Sequence, residues 1–135
     1  MNIPEESLEK GRQVRQALTG TTSVRSASNS AGFDLVPGLE DYALGVNFGE
    51  IWSRPQLDVK TRIGITIAAL TALGVEPQIK SYVNYALNAG WEPEEVLEVF
   101  VQCISYCGLP RALNGLRVAG EVLSERGISV APATS

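Results

Sequence analysis

The sequence predicts an all-α fold of five or six helices joined by short connections, and three observations support this. Nearly every segment opens and closes with helix punctuation. The apolar residues recur at helical rather than alternating spacing. No pair of alternating apolar runs is joined by a hairpin turn. A length of 135 residues, 44% hydrophobic and 19% charged, suits one domain with a real core, spanning 1–135 with its centre at about 39–127.

Pro4 followed by Glu5 and Glu6 reads as a first helical turn, and that helix is predicted to stop at Thr19-Gly20. Residues 19–32, rich in Ser, Thr, Gly and Asn without periodicity, read as a loop, either a lid or an arm ordered by a partner. Residues 39–48 are predicted to form a short helix. Asp58 is a good N-cap for the next helix. Its body, RIGITIAALTALG, is apolar almost all round, so it is expected to be central and buried. Gly74 ends it, and Pro77 lies in the first turn of a helix with Ile79, Tyr82, Val83 and Ala86 inward. Trp91-Glu92-Pro93-Glu94-Glu95 starts another, with Val96, Val99, Phe100, Cys103 and Cys107 inward. Gly108 and Pro110 precede a last helix, expected to turn Leu113, Leu116, Gly120 and Leu123 inward. Residues 128–135 read as a frayed tail.

Composition narrows the function. Net charge is −4, with 11 basic and 15 acidic residues, so clustered phosphate contacts are absent and nucleic acid is not an expected partner. No apolar run reaches the ~18 residues of a membrane span, and the polar N-terminus carries no signal-peptide core, so a cytoplasmic protein is expected. The chain contains no histidine, which rules out a Ser-His or Cys-His dyad and leaves no metal site to expect. P-loop, G-x-G-x-x-G and G-x-S-x-G motifs are missing, and no cofactor is expected. The apolar central helix is too large a surface for one chain of this size to cover, so helix faces are expected between subunits.

The richest stretch is GEIWSRPQLDVKTR, residues 49–62, where carboxylate, indole and guanidinium groups crowd a helix junction. Glu50 beside Trp52 would be desolvated, its pKa raised, and so suited to carry a proton; a surface Glu at a helix end is the bland alternative. Arg54 and Arg62 flank Pro55, and either can fork onto a substrate carboxylate; Arg62 can equally pair with Asp58 one turn earlier. Tyr82 can donate to an enolate oxygen or sit as a core phenol. Arg117 flanks the apolar face of the last helix, where it reaches a pocket or snorkels to solvent. Cys103 and Cys107, four apart, read as small buried apolar groups, poorly placed for a disulfide. Cys107 lies at the C-terminal end of a helix dipole, which does not favour a thiolate.

GEIWSRPQLDVKTR followed by ITIAALTALG, and the later run ALNAGWEPEEVLEVFVQCISYCGLPRALNGLRVAGEV, resemble the γ-carboxymuconolactone decarboxylase family. The likeness covers residues 42–122, in order and spacing. It implies a helical bundle of the alkylhydroperoxidase D-like kind and a homo-oligomer, a hexamer or trimer, with sites near subunit contacts. It also implies a small-molecule substrate. Where family decarboxylases usually carry histidines, this chain has Tyr82 and Arg117. The peroxidase branch's C-x-x-C is replaced by VEPQIKSY, and its relay Glu falls near Ile63, so thiol peroxidase chemistry is not expected. Glu50, Trp52, Arg54, Arg62 and the Tyr106-Cys107-Gly108 end are kept. The resemblance therefore implies lyase, decarboxylase or isomerase chemistry through an enolate on a small anionic keto acid, lactone or polyketide-like molecule. Glu50, Tyr82 and Cys107 are the catalytic candidates; Trp52, Arg54, Arg62, Tyr106 and Arg117 are the substrate-binding ones. The alternative is an inactive family member serving as a ligand- or protein-binding scaffold.

Overall fold

The computed structural model describes residues 1–26 and 30–130. The described chain is helical, with no strand among the described residues. It divides into two compact units, Met1–Arg62 and Ile63–Ser135.

In the first unit, α1 (Glu5–Thr19) begins after Pro4 with two acidic residues facing its positive end. It stops where Gly20 takes φ 79° and donates its amide to the Gln16 carbonyl. Residues Ala31–Leu35 form the short α2, inside and beyond the segment read as a loop; part of that segment, residues 27–29, lies outside the described residues. Arg25 bridges Asp34 and Glu40, both at 2.9 Å, and ties the segment after α1 to α2 and to α3 (Leu39–Tyr42). The expected helix at 39–48 exists but runs further, and it changes winding. From Ala43 to Ile51 it is a π-helix, closing i→i+5 bonds up to Trp52 N–H on Asn47 C=O at 3.0 Å.

The π-helix lies against α1 at very close range because glycines meet at the crossing. A Cβ on Gly11 would sit 2.0 Å from the Leu44 carbonyl oxygen, and one on Gly49 would sit 2.1 Å from that of Ser7. One on Gly45 would stand 2.2 Å from the Ile3 side chain. Phe48 and Trp52 fill the space beside this crossing, their rings 5.8 Å apart. Arg15, 4% exposed, donates to the Ser23 carbonyl at 2.8 Å and lays its guanidinium 4.8 Å from the Phe48 ring.

Helix α4 (Val59–Leu73) starts on the expected cap, Asp58 Oδ1 accepting the Thr61 amide at 2.7 Å. The all-round burial expected of it does not hold within the chain. Ile63, Ile67 and Thr71 are buried, but Ile65 is 54% and Leu73 69% exposed. A single helix has one stripe facing its own chain, and the rest of this apolar circumference faces outward.

In the second unit, α5 (Glu76–Asn88), α6 (Pro93–Cys107) and α7 (Leu109–Glu125) pack against one another. Glu92 and Glu95 close a reciprocal capping box at the start of α6. Ile79, Val83 and Ala86 on α5, and Val96, Phe100 and Cys103 on α6, are buried as expected. The inward face of α7 agrees with the expected one only in part. Leu123 is buried as expected and Leu116 half-buried, with Ala112, Gly115, Val118, Ala119 and Val122 also buried, whereas Leu113 is 53% exposed and Gly120 is exposed. Small side chains decide this: a Cβ on Gly115 would stand 2.4 Å from the Phe100 ring, so α6 approaches α7 along its slimmest stripe. Trp91 does the same at α4, its ring 2.9 Å from where a Cβ on Gly64 would be. Part of the predicted tail, residues 131–135, lies outside the described residues.

Candidate functional site

Residues 52–58 form a defined break between the π-helix and α4 rather than a slack loop. Ser53 Oγ donates to the Gly49 carbonyl, and Arg54 N–H to the Ile51 carbonyl at 3.2 Å. Arg62 acts on this break from α4: its guanidinium donates to the Arg54 carbonyl at 2.9 Å and the Leu57 carbonyl at 3.2 Å. It staples the turn from both sides of Pro55, a role the sequence reading did not assign. Backbone carbonyls are invisible to side-chain pattern, so no signal pointed to it.

The staple fixes where Arg54 leaves the chain. The Arg54 side chain is exposed, and its guanidinium makes no ion pair among the described residues. Four residues earlier, Glu50 lies at the end of the π-helix. It is exposed, not desolvated by the neighbouring indole, because Trp52 turns inward onto Phe48 and is only 7% exposed. One carboxylate oxygen of Glu50 accepts the hydroxyl proton of Ser7 on α1. Ser7 was not among the residues singled out from the sequence. It lies 43 positions away, and the only hint was the four-residue spacing of Gly45 and Gly49, which marks a close helix crossing.

The remaining candidates lie in the second unit. Tyr82 is half-buried on α5, its ring edge-on to Tyr85 at 4.9 Å. Arg117 pairs at the surface with Glu76 at 2.7 Å and Glu121 at 2.8 Å. These carboxylates raise its already high pKa, Glu76 contributing most. Two negative charges on one guanidinium leave that cluster net negative, a poor reception for an anion. Tyr106 is 84% exposed. Cys103 is buried and Cys107 half-buried beside it; burial first, and then the neighbouring Cys107, push the Cys103 thiol up, so it is not a ready nucleophile.

Residues 37–121 match the Carboxymuconolactone decarboxylase family, and the chain belongs to that family. It is 32% identical to 4-carboxymuconolactone decarboxylase of Acinetobacter baylyi over 126 residues, 93% of this chain and 92% of the relative. It is 32% identical over 123 residues, 90% of each chain, to an uncharacterized 15.0 kDa protein of Paracoccus denitrificans encoded between nqo9 and nqo10. A nitrosuccinic acid decarboxylase of Metarhizium robertsii is 25% identical over 120 residues, 87% of this chain and 81% of that one. Family membership and these relatives support a decarboxylase-like activity on a small molecule. Among the described residues, no helix is long and apolar enough to cross a membrane.

Proposed function

We propose that this chain is a decarboxylase-type lyase acting, without a bound cofactor, on a small oxygenated acid through an enolate. The observation that carries the reading is the pairing of chemistries at one stapled break. A carboxylate, Glu50, lies at a helix end, and Arg54, whose guanidinium makes no ion pair among the described residues, lies four residues on. In the reaction, the bond from carbon to the departing carboxylate breaks, and its electron pair enters the neighbouring carbonyl as an enolate. Carbon dioxide leaves, and Glu50 takes a proton from solvent and passes it to the carbon, which restores the carboxylate. Arg54 grips a second carboxylate of the substrate with a forked, charge-assisted contact. Tyr82, in the second unit, is given no part in this step. Isomerisation beside a carbonyl uses the same groups without loss of carbon dioxide. Arg117, already held by two carboxylates, and Cys107, half-buried, receive no part in the step.

The test uses 4-carboxymuconolactone, the substrate in the Acinetobacter relative's name, as the probe. Glu50→Gln is expected to lower kcat by about 100-fold or more. This variant should not move the melting temperature by more than a few degrees. Full activity in it would end the reading. The absence of histidine favours a second reading, a binding scaffold. It predicts that the lactone raises the melting temperature without being consumed.

A further inference from the structure

We infer that Ser7, on a helix outside the segment matched to the family, is a positioning residue for Glu50; this rests on the reading that Glu50 handles the proton. The matched segment is 37–121, and α1 ends at Thr19. Yet the described contact that reaches the Glu50 carboxylate from across the fold comes from α1, where Ser7 Oγ donates to Oε1.

Two features of the backbone make this contact possible. The first is proximity. Gly49 lies against the Ser7 carbonyl and Gly11 against the Leu44 carbonyl, so the two helices cross with no side chain between them. A hydroxyl on a single carbon reaches across only at such a separation. The second is winding. In an α-helix, residue 50 would lie about 140° around the axis from residue 45. The i→i+5 bonds of the π-helix turn less per residue and swing Glu50 toward the face that carries Gly45 and meets α1.

The consequence is chemical. Ser7 is 5% exposed and Glu50 is exposed, so the hydrogen bond pins the inner edge of the carboxylate and leaves the outer part toward solvent. An exposed glutamate otherwise samples several rotamers, and only a fraction of them would aim an oxygen at a reacting carbon. Ser7 holds Oε1 and directs Oε2 outward.

The experiment compares the wild-type chain with Ser7→Ala, Ser7→Thr, Glu50→Gln and the Ser7→Ala/Glu50→Gln pair, using the same lactone probe. Ser7→Ala is expected to lower kcat about 5- to 20-fold with KM within twofold, the effect of one charge-assisted hydrogen bond. Ser7→Thr restores most of the loss, and Ser7→Ala adds nothing in the Glu50→Gln background. If Ser7→Ala lowers the melting temperature by more than about 10 °C, Ser7→Cys fills the same space with a weak donor and shows the same kcat loss. In parallel, the Glu50 carboxyl carbon resonance, assigned by its disappearance in Glu50→Gln, moves in Ser7→Ala and returns in Ser7→Thr. Unchanged kcat in Ser7→Ala beside a crippled Glu50→Gln overturns the inference and spares the function. Full activity in Glu50→Gln overturns the function itself. If the wild-type chain does not consume the lactone, the resonance decides: a Glu50 signal unmoved in Ser7→Ala overturns the inference.

Discussion

At the scale of single residues, the account predicts different failures for neighbouring side chains. Arg54→Gln removes a substrate grip, so KM is expected to rise about 10- to 100-fold with kcat much less affected. Arg62→Gln removes a staple that holds the turn, so it should lower the melting temperature as well as the activity. Steady-state kinetics read beside thermal melts separate the two; identical phenotypes would show that the staple and the grip are not distinct. Cys103 is expected to label with an alkylating reagent only after denaturation, since burial raises its thiol pKa. Rapid labelling of the native protein would contradict that. Some of this was legible in the sequence. Asp58 as a cap, and Cys103 as a buried apolar group, follow from local rules and are found. The exposed Glu50 matches the surface alternative the sequence left open; the Arg117–Glu76 pair and the Ser7 hydroxyl on Glu50 were not legible, because each joins partners distant in sequence.

At the scale of elements, the glycine crossing and the Asp58 cap can be tested apart. Gly49→Ala places a methyl 2.1 Å from the Ser7 carbonyl, so α1 and the π-helix must separate. Overpacking of this kind costs about 1–3 kcal/mol, which urea unfolding would register. Activity should fall further than stability alone explains, because the Ser7–Glu50 contact is lost with the spacing. Gly20→Ala meets no neighbouring atom and touches no part of this crossing, so it serves as a control for backbone strain alone. The Asp58 carboxyl is held below its usual value by the Thr61 amide, then by the Thr61 hydroxyl. A depressed carboxylate stabilises the fold above its unfolded pKa, near 4, and loses that contribution as pH falls through the folded value. Asp58→Asn keeps a capping oxygen but does not titrate. The difference in urea midpoint between the two proteins should therefore narrow or reverse as pH drops from 5 to 3; a constant difference would remove the charge from the account. Helix starts and stops were readable from Pro, Gly and acidic residues. The π-winding was not, since its i→i+5 register arises where Gly45 and Gly49 meet α1. The face of α7 was assigned only in part, Leu123 correctly and Leu113 and Gly120 not, for a related reason: leucines mark hydrophobicity, but Gly115 and Ala119 mark where another helix can come close.

At the scale of the whole molecule, the helical class followed from local punctuation repeated along the chain, whereas the arrangement of faces depends on which surfaces meet. Ile65, Leu73, Val101, Ile104, Leu109 and Leu113 are all more than a third exposed in the single chain. The expectation of subunit association, drawn from the apolar central helix, predicts a solution mass well above the 14.5 kDa of one chain in light scattering. A mass of one chain at micromolar concentration would remove it. The central claim, that the Glu50 carboxylate carries the proton, is tested most directly by single-turnover kinetics of Glu50→Gln on the lactone probe. The account predicts that the chemical step slows by at least about 100-fold while the variant still binds the probe and melts near the wild-type temperature. A chemical step as fast as in the wild-type protein would contradict it.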